Sequence, residues 1–362
     1  MIPSMFIKKE QSLLKHLETI INTNMVNVNI ADMLMTAFSY TDIFNVDEIK
    51  QYIQEGLSEE EAITELLYDF YQLDKNNEDN QEIINSYIKN SLKKLNPSDY
   101  LNNPYALAVK KTGRNGKYAL KYIDYEPYQL FAYDEIKMDE DKEISAIGYF
   151  DKKFSYLALT ENNNIWMSLN PNEIETMKPY IEKGKGHVLV LGLGMGYVPF
   201  MLANKDDVKS VVIVEKDQNI IDIFSSLIWP NFNHKEKIKI IKDDAIKYVE
   251  KTQNTQQFDY IFADLWHNPE DGLPLFVALK RVNKNIDCWL ETSMYALLRR
   301  CMITLLEESL QGLDDSSYRF FKNYTDKVIN KFYHKTKNLR LNNEEDLRKL
   351  LNNEYLLSLL ID

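Results

Sequence analysis

Apolar residues recur at helical spacing through the first hundred positions. The first stripe consists of Leu13, Leu14, Leu17, Ile20 and Ile21. A second follows Ser58 and Glu61, whose spacing matches a capping box that opens a helix. A third consists of Ile83, Ile84, Tyr87, Ile88 and Leu92. Intervals of three and four residues place each set on one helix face, so this part of the chain is predicted to be helical.

The pattern changes after Tyr105, where short runs of aromatic and aliphatic residues alternate with turn signals. Two segments are typical of hairpin tips, namely Gly113-Arg114-Asn115-Gly116 and Glu161-Asn162-Asn163-Asn164. The second would join strands at 154–160 and 165–169. We therefore predict a small antiparallel sheet over residues 104–170, followed by a helix from Pro171 to about Gly184.

Beyond Gly184, strand and helix patterns alternate. The strand candidates are the short apolar runs Val188–Leu191, Val211–Val214, Ile238–Ile241 and Tyr260–Ala263, with a weaker fifth at Cys288–Leu290. Continuous apolar runs separated by helical segments are typical of a parallel sheet covered on both faces. The fold class predicted is therefore α/β, with a doubly wound Rossmann-like sheet. Helical periodicity resumes at Met294.

These patterns divide the chain of 362 residues into four predicted segments. Residues 1–100 form a helical domain, and residues 101–183 form the antiparallel region with its linking helix. Residues 184–312 form the Rossmann-like domain, and residues 313–362 a helical C-terminal extension.

Charge and cysteine content exclude several classes of protein. The net charge is −12, from 43 basic and 55 acidic residues, which argues against a nucleic-acid or membrane-surface partner. The two cysteines, Cys288 and Cys301, are too few for a disulfide framework and favour a reducing compartment. The start, Met1-Ile2-Pro3-Ser4, lacks a signal-peptide pattern, so a cytoplasmic location is expected.

Metal binding is not expected from the histidines. His187, His234 and His267 lie in separate segments without the spacing of metal ligands.

The strongest chemical signal is the run Val188-Leu-Val-Leu-Gly192-Leu-Gly194-Met-Gly196-Tyr197. A buried strand leads into a glycine-rich turn and then a helix, which is where α/β sheets bind nucleotides. Glycines permit positive φ and a close approach of ligand to backbone. The dinucleotide fingerprint requires glycine or alanine at the sixth place, where this chain has Tyr197, so an NAD or FAD site is disfavoured.

Glu215 ends the second strand about 20 residues beyond the glycines, where an acidic side chain can accept hydrogen bonds from ribose hydroxyls. The alternative is an ordinary acidic residue in a charged loop. The distance from the glycine turn favours ribose binding.

Asp243-Asp244-Ala245 follows the third strand. Asp244 can accept from the exocyclic amine of adenine, and the backbone N–H of Ala245 can reach a ring nitrogen. The alternative is a helix N-cap, which aspartate favours. Both interpretations can hold, because two aspartates are adjacent.

The fourth strand delivers Asp264 to the same sheet edge, followed by Trp266 and His267. Asp264 is the candidate catalytic residue, because a carboxylate there can orient an amine or take its proton. Trp266 and His267 can shape an acceptor pocket, although for His267 a loop position without a catalytic role is favoured.

These features follow one another along the chain in the order glycine turn, Glu215, Asp244-Ala245 and Asp264. In this order the chain resembles class I S-adenosylmethionine-dependent methyltransferases. A β hairpin and a short helix precede the glycine turn, as in the spermidine synthase branch. The resemblance covers about residues 150–292. It implies that Gly192, Gly194, Gly196, Glu215, Asp244 and Ala245 bind S-adenosylmethionine. It also implies that Asp264 lies nearest the transferred group.

Two differences bear on the reaction. Aminopropyltransferases usually carry an aspartate near the position of Met195, and a Ser-Ser-Asp context where this chain has Leu265-Trp-His-Asn-Pro. These differences favour methyl transfer to an acceptor that the sequence does not identify, for which a small molecule is one candidate, with aminopropyl transfer as the alternative. A third possibility is a non-catalytic nucleoside-binding protein whose helical ends serve oligomerisation or partner binding. Whatever the activity, the N-terminal helices are a candidate homodimer interface.

Overall fold

The computed structural model of the protein describes residues 5–40, 43–252, 255, 257–312 and 323–361. They divide into two units. The first comprises the described residues of Met1–Asn29, Met138–Glu143 and Leu265–Asp362, and the second those of Ile30–Lys137 and Ile144–Asp264. These units cut across the four segments predicted from the sequence, whose boundaries stay a prediction. Residues 1–4 and 313–322 lie outside the described residues.

The second unit begins with helices, as predicted. These helices are the later part of Gln11–Ser39, then Val46–Gln54, Glu59–Phe70, Glu78–Ile83, Pro97–Leu101 and Pro104–Ala108. The predicted capping box is present, since Ser58 Oγ accepts from the Glu61 amide at 3.1 Å and Glu61 returns the bond at 2.9 Å. The third apolar stripe is only partly an α-helix. It continues as a π-helical turn over Ile84–Ile88, and Leu92 lies in a strand, because Leu92–Lys94 pairs with Ile147–Tyr149.

The predicted antiparallel sheet is present. Its four strands, in spatial order, are Asn164–Ser168, Phe154–Glu161, Tyr118–Tyr125 and Gly113–Asn115. Asn162 and Asn163 form the two-residue turn, with φ of 50° and 71°, as hairpin turns of this length require. The first tip lies at residues 116–117 instead of 113–116, because Gly113–Asn115 is itself paired with the next strand.

A parallel sheet follows the helix Pro171–Lys183. In spatial order, its strands within this unit are Ile238–Lys242, Val208–Glu215, Gly186–Leu191 and Tyr260–Ala263. The helical segments between the strands are Tyr197–Ala203, Gln218–Ile223 with a π-helical turn Phe224–Ile228, and Ala245–Thr252. This arrangement confirms the α/β class and the doubly wound sheet.

The register of this sheet aligns the ends of three strands. Leu191 pairs with Val214 on one side and with Ala263 on the other. The next residues are Gly192, Glu215 and Asp264, which lie at the same carboxyl edge. Glu215 is the last residue of its strand and pairs with Lys242, while Gly192 and Asp264 directly follow theirs. Val188 to Leu191 are at most 1% exposed, which anchors this edge in the core.

The first unit is mainly helical. Its main elements are Pro269–Val282, Glu291–Leu310, Tyr324–Thr336, Glu344–Leu350 and Asn353–Ile361. The predicted strand Cys288–Leu290 is wrong beyond Cys288, because Leu290 adopts a φ of 54° immediately before the helix Glu291–Leu310. Within the described ranges, no helix has the length and apolarity needed to cross a membrane.

Lys205 fixes the end of the helix Pro171–Lys183. Its Nζ donates to the carbonyl oxygens of Ile181 at 3.0 Å and Glu182 at 2.9 Å, and also to that of Gly184. A cation at this position satisfies carbonyl groups that have no partner within the helix.

We predict that Lys205→Met lowers the free energy of unfolding by about 1–2 kcal/mol, because a charged donor is lost while the aliphatic stem is kept. Urea denaturation measures this change. The control is Lys209→Met, at an exposed strand position, which should leave the unfolding midpoint unchanged. Equal effects of the two variants would contradict the capping role.

Candidate functional site

The glycine-rich turn closes against the neighbouring strand. Gly192, Gly194 and Gly196 have φ of 102°, 52° and 78°, which side-chain-bearing residues rarely adopt. The amide of Gly192 donates to Val214 O at 2.9 Å, and that of Gly196 donates to Leu193 O at 2.8 Å. The turn is therefore a defined structure.

Two of these glycines have different surroundings. A Cβ on Gly196 would lie 2.3 Å from Phe224 Cε2 and 3.0 Å from Phe232 Cζ, so Gly196 is required for packing. Apart from its chain neighbours, the one described residue within 4 Å of a Cβ on Gly194 would be Met167, with Sδ at 3.8 Å. Gly194 is thus the glycine that leaves open space, and Met167 of the antiparallel hairpin borders that space.

Two backbone amides of the turn are available as hydrogen-bond donors for a ligand. Among the hydrogen bonds of the described residues, none involves the amide of Gly194 or that of Met195. Backbone donors of this kind commonly bind anionic or carbonyl groups. They are chemically suited to the carboxylate of an amino-acid moiety.

Glu215 links the turn to the second strand. Its Oε2 accepts from the Leu193 amide at 3.1 Å, and its Oε1 accepts from the Asp217 amide at 2.8 Å. A carboxylate oxygen has two acceptor sites, so each oxygen retains capacity for one further donor. The side chain can hold the turn and accept ribose hydroxyls at once.

Asp244 acts as the cap of the helix Ala245–Thr252. Its Oδ1 accepts from the Lys247 amide at 3.1 Å, while Asp243 Oδ1 accepts from the Asp244 amide at 2.8 Å. Ala245 is the first helical residue, whose amide has no acceptor within the helix. The capping interpretation therefore holds for Asp244, and its second oxygen and the Ala245 amide are the groups an adenine ring would use.

Asp264 continues the fourth strand past its end, and its amide donates to Leu191 O at 2.9 Å. Burial raises the pKa of its carboxyl group well above the ordinary value, and the nearby Glu215 carboxylate raises it further. A carboxyl group with a raised pKa is suited to accept a proton near neutral pH.

Glu173, which the sequence pattern did not mark as a functional residue, lies near Asp264. Burial raises the pKa of its carboxyl group, and the charge of Asp264 adds to this effect. Its amide donates to Asn170 Oδ1 at 3.0 Å, so Glu173 is the third residue of the helix Pro171–Lys183. An acidic residue in the first turn of a helix is common, so the sequence alone did not indicate its place near Asp264. We refer to Glu173, Glu215 and Asp264 as the acidic cluster.

Tyr197 directly follows the last glycine of the turn. Its hydroxyl accepts from Asn103 Nδ2 at 3.1 Å. Burial raises the pKa of Tyr197 to about 12, and the charges of Glu175 and Glu173 contribute to the increase. Tyr197 therefore lies within electrostatic range of the acidic cluster.

Trp266 and His267 lie in the first unit. Trp266 is 6% exposed, and its Cγ lies 2.4 Å from the position of a Cβ on Gly272, so it packs closely on the helix Pro269–Val282. The His267 amide donates to Asp271 at 3.2 Å, and the residue is exposed. Their contribution to an acceptor pocket stays a prediction.

The comparisons with known proteins agree with the sequence resemblance. Residues 173–304 match the family model of the spermine/spermidine synthase domain. The resemblance to the spermidine synthase branch of class I adenosylmethionine-dependent enzymes is thereby confirmed over these residues. No curated protein matches the chain.

Solved structures give weaker likenesses. Human methyltransferase-like protein 13, solved in complex with SAH, is 21% identical with a TM-score of 0.24, covering 31% of this chain and 54% of its own. Spermidine synthase from Thermotoga maritima is 12% identical with a TM-score of 0.29, covering 52% and 61%. The chain thus spans between half and two thirds of the lengths of these two proteins, and TM-scores this low support no comparison of sites.

We predict that Glu173→Gln reduces the pH dependence of stability. A raised pKa means that the folded chain holds a proton that the unfolded chain has lost, so the free energy of unfolding falls as pH rises above the ordinary glutamate pKa of 4.5. Glutamine removes this titration. Urea denaturation at about pH 5 and about pH 8 should show a smaller loss of stability for the variant.

The matched control is Glu182→Gln, at an exposed position on the same helix, which should keep the wild-type pH dependence. A wild-type pH dependence in the Glu173 variant would contradict the placement of Glu173 in the cluster.

Proposed function

We propose that the protein is a transferase that uses S-adenosylmethionine as donor and methylates an amine on a small-molecule acceptor. The observation that carries this proposal is the common sheet edge shared by the glycine turn, Glu215 and Asp264. The family match over residues 173–304 supports the same class of enzyme.

The donor would lie along this edge in three parts. Gly194 leaves space for close approach, and the amides of Gly194 and Met195 suit the methionine carboxylate. Glu215 would accept from the ribose hydroxyls. Asp244 and Ala245 would bind the adenine ring.

The chemistry needs little from the protein beyond alignment, because the sulfonium group is already activated. The amine nitrogen would attack the methyl carbon, and the C–S bond would break with its electron pair moving to sulfur. The methylated ammonium would then lose a proton, for which Asp264 is the candidate acceptor. The raised pKa of Asp264 suits this role.

We expect the wild-type protein to bind S-adenosylmethionine and S-adenosylhomocysteine with a Kd in the micromolar range or below. Glu215→Gln should weaken binding of both by about tenfold or more, because a charge-assisted acceptor for the ribose is lost. Isothermal titration calorimetry measures both values.

The control for this variant is Glu250→Gln, an exposed position on the helix Ala245–Thr252, with wild-type affinity expected. Absence of binding to either compound at millimolar concentration would end the proposal.

Aminopropyl transfer is the second candidate, and the acidic cluster favours it. Decarboxylated S-adenosylmethionine lacks the carboxylate and carries a higher positive charge, which three nearby carboxylates stabilise. Against it, Met195 places an apolar side chain where aminopropyltransferases usually carry aspartate.

The two candidates predict opposite donor preferences. For the methyltransferase, we expect the parent compound to bind at least tenfold more tightly than the decarboxylated one, because only the parent has a carboxylate for the turn amides. Competition calorimetry with both compounds measures the ratio. The reverse order would replace methyl transfer by aminopropyl transfer.

A further inference from the structure

We propose that Tyr105, assisted by Asn103, is a positioning residue that holds the glycine turn in its ligand-binding conformation. The effect on donor affinity rests on the proposed function. The effect on the turn itself does not.

The first contact joins Tyr105 to Met195, the residue that precedes Gly196. Tyr105 is fully buried, and its hydroxyl donates to the carbonyl oxygen of Met195, between Gly194 and Gly196. This bond fixes the orientation of the peptide group that joins Met195 to Gly196. The Met195 amide, one of the two available to a ligand, belongs to the same residue.

The second contact is made directly after Gly196. Asn103 Nδ2 donates to the Tyr197 hydroxyl at 3.1 Å, and Asn103 Oδ1 accepts from the Tyr105 amide at 2.9 Å. Asn103 is 8% exposed and caps the short helix Pro104–Ala108. The two side chains therefore hold the turn on both sides of one glycine.

Ring packing makes this connection rigid. The Tyr105 ring lies edge-on to the rings of Tyr197, Phe200 and Phe232, with centroids 5.7, 5.3 and 6.3 Å away. Phe232 also contacts the position that a Cβ on Gly196 would take. The buried Tyr105 thus restrains the turn in two ways, by ring packing and by one hydrogen bond.

A segment of the chain about 90 residues upstream thereby controls the turn, since Tyr105 and Met195 are separated by 90 positions. If the hydroxyl is removed, the turn samples other conformations, and the apparent affinity for the donor falls with the fraction that remains competent.

The test variant is Tyr105→Phe, which removes only the hydroxyl. Its matched control is Tyr71→Phe, because the Tyr71 hydroxyl also donates to a backbone carbonyl, that of Met33, away from the turn. The first measurement is hydrogen–deuterium exchange of peptides covering residues 192–197 in the ligand-free protein. Exchange there should rise about fivefold in Tyr105→Phe and stay at the wild-type rate in Tyr71→Phe.

The second measurement is calorimetric titration with S-adenosylhomocysteine, whose Kd should rise about fivefold in Tyr105→Phe alone. Unchanged exchange and affinity in Tyr105→Phe, or equal changes in Tyr71→Phe, would overturn the proposal. If the wild type binds no S-adenosylhomocysteine, the proposed function fails, while the exchange measurement still decides the role of Tyr105.

Asn103→Ser provides a variant that keeps the hydroxyl of Tyr105. Serine can still cap the helix Pro104–Ala108 but is too short to reach Tyr197. It should raise exchange over residues 192–197 without loss of the fold, and wild-type exchange in this variant would remove Asn103 from the proposal.

Discussion

The structure of the site depends on the register with which the strand Gly186–Leu191 pairs with its two neighbours. This register places Glu215, the last residue of its strand, at one carboxyl edge of the sheet together with Gly192 and Asp264, which directly follow their strands. Glu215 and Gly192 lie on adjacent strands, as do Gly192 and Asp264. A shift by one residue would reverse the facing of the side chains along that strand and change the position of Gly192 relative to Glu215 and Asp264. Hydrophobic burial of the strand therefore fixes both the core and the geometry of the edge.

Glu215 joins this edge to the turn. Because its carboxylate accepts from the Leu193 and Asp217 amides, the position of the glycine turn is set by the same side chain that we propose binds the ribose. Charge at this point also raises the pKa of Asp264, and Asp264 in turn raises that of Glu173. Bringing these carboxyl groups together in the folded chain has an electrostatic cost. A cationic group placed among the three carboxylates would offset that cost by stabilising their charged forms.

Much of the second unit could be predicted from periodicity and turn chemistry. The strand Tyr260–Ala263 has the bounds that the apolar pattern indicated. Leu92 and Leu290 were misplaced, since the first is drawn into a strand by pairing with Ile147 and the second adopts a left-handed backbone conformation before a helix. In both cases a tertiary or backbone constraint outweighed local propensity.

The sequence by itself determined the α/β class, the glycine turn and the acidic residue that follows the second strand, because these features are local in the chain. Only the tertiary structure brought Glu173 beside Asp264 and Tyr105 against Met195. Such pairs are separated by about 90 residues and depend on how helices and hairpins pack over the sheet. The spacing of residues along the chain does not encode that packing. The sequence therefore predicted the fold, but not the residues that surround its site.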